Sequence, residues 1–317
     1  MLLITTLLLV TVRAGTSLLY ATIGEICTER SGILNLGVEG MMMMGALAAF
    51  GIVYNTGSLL LGVVGAMLVG GTMALLHAFL SVSMRANQVV SGLSLTIFGT
   101  GFASFLGQRL GPTENSFNLT GLTGEKFPII HIPFLEEIPV FSAFLQQDIL
   151  TYLLYILVPL AWFYLYRTKN GLSLRSVGEN PRYAAAMGIN ITKIRYGYTV
   201  LGGLLVGLGG AHLSLAYTPG WSENMTGGRG WIVIALVIFS GWNPARAVLG
   251  AILFGGINAV QYRLQAAGTV IPASFLNMAP YLITVIVLTA MTILSRKKKT
   301  SFSSPSALGT SFSIEDK

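Results

Sequence analysis

The sequence predicts an all-α fold, a polytopic bundle of about eight to ten transmembrane helices with a short helix in a cytoplasmic loop. The first observation is composition, because 53% of the 317 residues are hydrophobic and only 10% are charged. A soluble domain is usually about 25% charged. The second observation is a set of long stretches without Asp, Glu, Lys or Arg, which are residues 40–84, 86–108, 149–166, 196–222 and 264–295. One membrane-spanning helix needs about 20 apolar residues, so these stretches predict membrane spans.

The boundaries of the apolar runs predict nine spans. Two of the runs are short and meet at Pro244, so they form either two spans or one long helix that the proline breaks. The predicted spans are roughly 2–24, 36–54, 58–83, 88–107, 148–166, 197–217, 230–243, 246–263 and 279–295.

Basic residues give the expected orientation, because Lys and Arg accumulate in cytoplasmic loops. The loop after the fifth span, about 168–196, and the tail that opens at Arg296 are the two basic segments, so both should face the cytoplasm. Residues 107–148 are then outside, and the span count puts the N-terminus outside. The basic residues of the loop after the fifth span, at its edge and within it, are Arg167, Lys169, Arg175, Arg182, Lys193 and Arg195.

The chain therefore divides into a transmembrane domain, residues 1–299, and a tail, residues 300–317. The tail is rich in serine and poor in apolar residues, which predicts a disordered cytoplasmic segment. The protein is expected to be a multi-pass protein of a cell membrane, with the lipid bilayer as its solvent.

Several function classes are excluded. The sequence contains no phosphate-binding loop of the G-x-x-x-x-G-K-[ST] type, and neither G-x-S-x-G nor H-E-x-x-H occurs. A lone Cys27 excludes an internal disulfide and a cysteine metal cluster. The basic clusters flank spans without interleaved aromatic residues, so no nucleic-acid partner is expected. We expect no catalytic residue, metal or cofactor, and a conduit rather than an enzyme.

The basic loop contains the pattern of a short helix. Asn180 is a capping residue, Pro181 suits the first helical position, residues 183–187 favour helix, and Gly188 ends it. A small helix held in a cytoplasmic loop of a membrane protein is suited to binding a soluble partner. The candidate partner-binding residues are Glu179, Asn180, Pro181, Arg182, Tyr183, Ala184, Ala185, Ala186, Met187 and Gly188.

Polar residues near two span starts are candidates for a solute pathway. Glu39 is an ionisable group near the start of the second span, and such groups are by default functional hypotheses. The alternative is that Glu39 lies near a helix N-terminus, where the dipole favours a carboxylate. Asn35, with Gly37 and Gly40, suggests a loop or a broken helix entering the membrane, which requires protein or water to satisfy its backbone.

The fourth span opens with Asn87, Gln88 and Ser91, polar residues on an otherwise apolar helix. They are either pathway groups for a polar solute or partners in hydrogen bonds between helices. Two small-xxx-small pairs, Gly203 with Gly207 and Ala66 with Gly70, allow close helix approach, and packing within the bundle is favoured over a dimer interface.

Three blocks of the sequence, residues 29–40, 171–189 and 227–255, match a family pattern. The chain resembles the permease subunits of bacterial ABC importers, in the branch that serves ribose-type sugars, branched-chain amino acids and nucleosides, and is most similar to the nucleoside type. In this class the coupling segment carries an Ala-rich element followed by Gly. Residues 183–188 match that element, without the acidic residue that usually leads it.

The resemblance implies three protein partners: a separate ATP-binding cassette ATPase subunit, an extracytoplasmic substrate-binding lipoprotein, and a second, different permease. It implies a nucleoside as the solute, and Pro181 to Gly188 as the coupling helix. The alternative is a secondary transporter driven by an ion gradient. Only Glu39 and Glu25 offer carboxylates within or near spans, and no internal repeat is evident, so the importer is the favoured interpretation.

Overall fold

The computed structural model of the protein describes residues 2–110, 116–117, 126–130, 139–268, 272–298 and 304–312. Parts of the predicted loop 107–148 and of the tail 300–317 lie outside these ranges. The regular secondary structure of the described residues is helical except for two short strands, β1 (Ser116–Phe117) and β2 (Trp221–Ser222), which pair antiparallel.

Twelve α-helices form the described part of the protein. Two of them, α3 and α9, end in a π-helical turn, at Phe79–Ser83 and Leu213–Tyr217. The helices are α1 (Leu2–Arg30), α2 (Val38–Thr56), α3 (Leu59–Ala78), α4 (Gln88–Leu110), α5 (Pro139–Leu145), α6 (Ile149–Arg167), α7 (Lys169–Glu179), α8 (Pro181–Ala186), α9 (Ile191–His212), α10 (Arg229–Ser240), α11 (Pro244–Ala266) and α12 (Ala273–Lys298).

Seven helices within the described residues are long and apolar enough to cross a membrane, which confirms the predicted all-α multi-span fold. They comprise α1 to α4, α6, α9 with its π-helical turn, and α11. The predicted last span lies within α12, a helix of 26 residues. Its apolar segment is Met278–Val287.

The predicted span at 230–243 is a half-length helix. Helix α10 has 12 residues, or about 18 Å at 1.5 Å per residue, against about 30 Å for the hydrocarbon core. Gly241 ends α10 at φ 60°, and Asn243 caps α11 by accepting from the Ala245 N–H, with Pro244 at the first position. The two apolar runs that meet at Pro244 are therefore separate helices.

Helix α9 lies at the centre of the bundle, against α1, α2 and α3. Its glycines permit the contact with α3. A Cβ on Gly203 would lie 2.5 Å from the Gly70 carbonyl oxygen, and a Cβ on Gly207 would lie 2.2 Å from that of Ala66. The two small-xxx-small pairs thus pack on each other, which confirms the interpretation that they pack the bundle.

We call the end of the bundle that carries α7 and α8 the loop face. Arg30, at the end of α1, lies at this face, where its guanidinium is 3.9 Å from Glu179 and donates to the Trp242 carbonyl. The N-terminal end of α1 therefore lies at the opposite face.

Residues 304–312 also lie on the loop face, which corrects the expected disorder for this part of the tail. The Ala307 N–H donates to the Gly178 carbonyl and the Gly309 N–H to the Gly32 carbonyl. Backbone hydrogen bonds order the segment despite its polar composition.

We expect Gly207→Ala to lower the thermal unfolding temperature of the purified protein, because overpacking a close helix contact costs about 1–3 kcal/mol. Gly197→Ala is the matched control on α9, since a Cβ there meets no atom within 4 Å. Thermal unfolding in detergent measures both variants. Equal stability of the two variants would contradict the close packing of α9 on α3.

Candidate functional site

A cavity of about 780 Å³ lies between α4, α10, α11, α12 and the loop 218–228. This volume is within the range of ligand-binding pockets, about 300–1,000 Å³. Polar and aromatic side chains from four helices line it: Thr96, Thr100, Trp231, Asn258, Gln261, Tyr262 and Tyr281. Such a lining offers both hydrogen bonds and flat apolar surfaces to a solute.

The carboxylate of Glu39 lies at the buried end of this cavity, where α10 begins. Its Oε1 accepts from the Thr226 hydroxyl at 2.6 Å and from the Gly228 N–H at 2.9 Å, while Oε2 accepts from the Gly230 N–H. The first N–H groups of a helix lack partners within the helix, and the dipole there favours an anion. Glu39 therefore caps α10, a helix remote from it in the sequence.

Helices α2 and α10 are in close contact where Glu39 caps α10. A Cβ on Gly230 would lie 2.4 Å from the Glu39 Cα, so no larger residue fits between α2 and α10 at this point. Glu39 is only 4% exposed although it lines the cavity. Glu39 thus lies at a helix N-terminus, that of α10, and also lines the cavity, while its role in a solute pathway stays a prediction.

Asn35 holds the buried loop 31–37, which connects α1 to α2. Its Oδ1 accepts from the Gly37 N–H at 2.9 Å, and its Nδ2 donates to Glu25 Oε2 at 3.1 Å. The loop is almost wholly buried, as the predicted broken helix requires.

Gln88, on α4, and His77, on α3, contact the backbone of the same loop, and Ser91 holds the His77 ring. Gln88 Oε1 accepts from the Leu34 N–H at 2.7 Å. The His77 ring nitrogens lie 3.0 Å from the Leu34 carbonyl oxygen and 2.9 Å from the Ser91 hydroxyl. Asn87 is exposed and caps α4 by accepting from the Val89 N–H. Of the five residues assigned to the pathway from the sequence, only Glu39 lines the large cavity.

The cavity contains groups that the sequence analysis did not single out. Asn258 and Gln261 are three residues apart on α11, and both line the cavity. Among the described residues, the Asn258 amide has no hydrogen-bond partner. Two amides three residues apart in an apolar run indicate a polar face on the helix. This pattern could have identified the site from the sequence.

The predicted helix in the loop is present as α8. Asn180 Oδ1 accepts from the Tyr183 N–H at 3.2 Å, Pro181 occupies the first position, and Gly188 follows the helix at φ 78°. Tyr183 is 75% exposed and Met187 81% exposed, so α8 presents two large side chains outward from the loop.

The inner face of α8 is anchored to the protein by Ala184, which is 3% exposed and packs with Val177 and Ile191. Ala185 is half-buried against the same cluster, whereas Ala186 is exposed. The small residue that faces outward is thus Ala186, beside Tyr183 and Met187.

A multi-span helical bundle with a polar cavity and an exposed helix in a loop is the architecture of a membrane transport permease. The chain belongs to the family described as branched-chain amino acid transport system / permease component, which matches residues 6–295. It is the permease component of an ABC transporter, as the resemblance implied, and not a gradient-driven secondary transporter.

Three relatives illustrate the range of named solutes. The "Putative glucose ABC transporter permease protein TsgC13" of Haloferax volcanii is 40% identical over 98% of this chain and 98% of that protein. The "Nucleoside ABC transporter permease protein NupC" of Lactococcus lactis is 35% identical over 86% and 88%, respectively. The "Guanosine ABC transporter permease protein NupQ" of Bacillus subtilis is 32% identical over 86% and 87%.

We expect Glu39→Ala to destabilise the protein strongly, because it leaves the hydroxyl of Thr226 and two N–H groups of the α10 start unpaired. Each unsatisfied buried donor costs about 1–3 kcal/mol. Glu223→Ala is the control, since Glu223 lines the same cavity but is exposed. Thermal unfolding in detergent compares the two, and equal stability would show that Glu39 does not hold α10.

Proposed function

We propose that this permease is one of two different permease subunits of a bacterial ATP-driven importer that moves a nucleoside into the cell. The observation that carries the proposal is the lining of the 780 Å³ cavity, where aromatic side chains and amides meet at the depth of the α10 start. Two of the named relatives, a nucleoside and a guanosine permease, support this solute class.

The cavity chemistry suits a neutral, flat and polar solute. Trp231, Tyr262 and Tyr281 are each between a third and a half exposed and offer surfaces on which a base can stack. The Asn258 amide can both donate and accept, as base edges and ribose hydroxyls require. The Glu39 carboxylate is already hydrogen-bonded to α10, so it presents little free charge to the solute.

Coupling to ATP hydrolysis occurs at the loop face, which is the cytoplasmic face in this proposal. The basic residues of the loop support that orientation. Helix α8 inserts Tyr183, Ala186 and Met187 into a groove of the ATPase subunit. Closure of the ATP-bound ATPases displaces α8, and the bundle switches between two arrangements that expose the cavity to opposite sides. The C-terminus is cytoplasmic in this arrangement.

Two further partners belong to this proposal. An extracytoplasmic substrate-binding lipoprotein delivers the solute to the opposite face. A second permease completes the membrane unit. The chain resembles two guanosine ABC transporter permease proteins of Bacillus subtilis, at 32% and 24% identity, which supports a pairing of two different permeases.

The proposed solute is tested in proteoliposomes that contain the complete transporter purified with its partner subunits. We expect ATP-dependent uptake of radiolabelled guanosine or uridine, and competition by other nucleosides but not by glucose. Glucose is the second candidate solute because of the relative at 40% identity. Uptake of glucose without uptake of any nucleoside would contradict the nucleoside proposal.

Asn258→Ala should raise the KM for uptake about fivefold, because one lost hydrogen bond to the solute is worth about 1 kcal/mol. The control is Val260→Ala, which truncates an exposed side chain on the same helix outside the cavity. Uptake kinetics at matched expression measure both variants. An unchanged KM in Asn258→Ala would exclude this amide from the solute site.

Ala186→Glu should release the ATPase, because burying an unpaired carboxylate in the interface costs at least about 1–3 kcal/mol, or about tenfold in affinity. Ala267→Glu is the matched control, an exposed alanine after α11 at the opposite face. Affinity purification measures the retained ATPase, and uptake is assayed in parallel. Full retention by Ala186→Glu would show that α8 is not the coupling helix.

A further inference from the structure

Residues 304–312 are here called the C-terminal strap. We infer that the strap binds the ATPase subunit beside α8, through the three exposed residues that line the cavity there, Ser306, Thr310 and Ser311. The inference rests on the proposed function, because it takes α8 as the site where the ATPase binds. It assigns a binding role to a segment that the composition alone marks as disordered.

The C-terminal strap is held by hydrogen bonds to three parts of the loop face. The Ala307 N–H donates to the Gly178 carbonyl at the end of α7 (2.9 Å), and the Gly309 N–H donates to the Gly32 carbonyl after α1 (3.1 Å). The buried Arg195 guanidinium, on α9, donates to the Thr310 carbonyl at 3.2 Å. The Ser306 hydroxyl adds a bond to Glu179, 3.1 Å away.

Side chains of the C-terminal strap divide into a buried face and an exposed face. Pro305 and Ala307 are buried, and Phe312 packs on the apolar cluster that also anchors α8. Ser304, Ser306, Thr310 and Ser311 are exposed. The strap therefore presents a fixed, uncharged, hydrogen-bonding surface at the loop face.

This surface adjoins α8 directly. A cavity of about 420 Å³ separates the start of α8 from the strap and is lined by Pro181, Arg182, Thr310 and Ser311, among others. A second cavity, of about 580 Å³, lies between Phe312 and the residues that follow α8. The strap therefore flanks α8, and three of its exposed residues, Ser306, Thr310 and Ser311, line the cavity beside the helix.

Helix α8 is too short to form a stable interface with the ATPase by itself. Six residues of helix are about 9 Å long, whereas a stable protein–protein interface buries about 800 Å² on each partner. An ATPase that binds the outer face of α8 must therefore also cover the surface next to it. On the Asn180 side, that surface is the C-terminal strap.

Two arginine substitutions in the full-length chain test the inference, within the complete transporter. Ser311 lines the cavity beside α8, whereas Ser304, also exposed, does not. Ser311→Arg should reduce the ATPase retained on affinity purification about tenfold, and Ser304→Arg should leave it unchanged. A third variant, Ala307→Arg, places a large charged side chain at a buried position and should displace the strap with a similar loss.

Normal retention in both Ser311→Arg and Ala307→Arg would overturn the inference, as would an equal loss in Ser304→Arg and Ser311→Arg. Size-exclusion chromatography confirms that each variant remains folded. Failure of the proposed function gives a different result, because the Ala186→Glu variant would then retain the ATPase in full. If Ala186→Glu releases the ATPase and the strap variants do not, only the present inference is wrong.

Discussion

The hydrogen bonds between the Glu39 carboxylate and the start of α10 are the interaction on which the site depends. A helix that begins within a membrane protein exposes N–H groups that lipid cannot satisfy, so the protein must supply acceptors. Glu39 supplies them to two backbone N–H groups and one hydroxyl at once. The cap lets the half-length helix α10 begin inside the bundle, and the 780 Å³ cavity adjoins this start.

The same constraint accounts for most other polar residues that the sequence marks within the spans. The buried loop 31–37 has backbone groups to satisfy, and Gln88, His77 and Asn35 do so. These side chains are hydrogen-bonded within the protein. A polar residue in a span therefore does not by itself identify a solute pathway. The Asn258 amide differs, because it lines the cavity and its hydrogen-bonding capacity remains available to a solute.

The sequence predicted seven of the nine spans as membrane-length helices, the ends of α8 and the packing of the small-xxx-small pairs, because each is marked by residues close together in the chain. It did not predict that α10 is half-length, since an apolar run gives no measure of membrane depth. The lining of the cavity comes from five helices and the loop 218–228, which are far apart in the sequence, so the sequence analysis identified only one lining residue, Glu39. The order of residues 304–312 depends on backbone hydrogen bonds to Gly178 and Gly32, which composition does not report.

Covalent continuity connects the loop face to the cavity. Gly32, which accepts a hydrogen bond from the C-terminal strap, belongs to the buried loop 31–37, and Glu39, which caps α10, follows it by seven residues. The three bonds at Glu39 share one carboxylate, so a displacement of α2 relative to α10 that breaks one of them strains the others. Interactions that form or break together favour discrete arrangements over gradual deformation, which is the physical requirement for alternating access. In the proposed mechanism, a displacement at the loop face would reach the cavity through the loop 31–37 and the hydrogen bonds of Glu39.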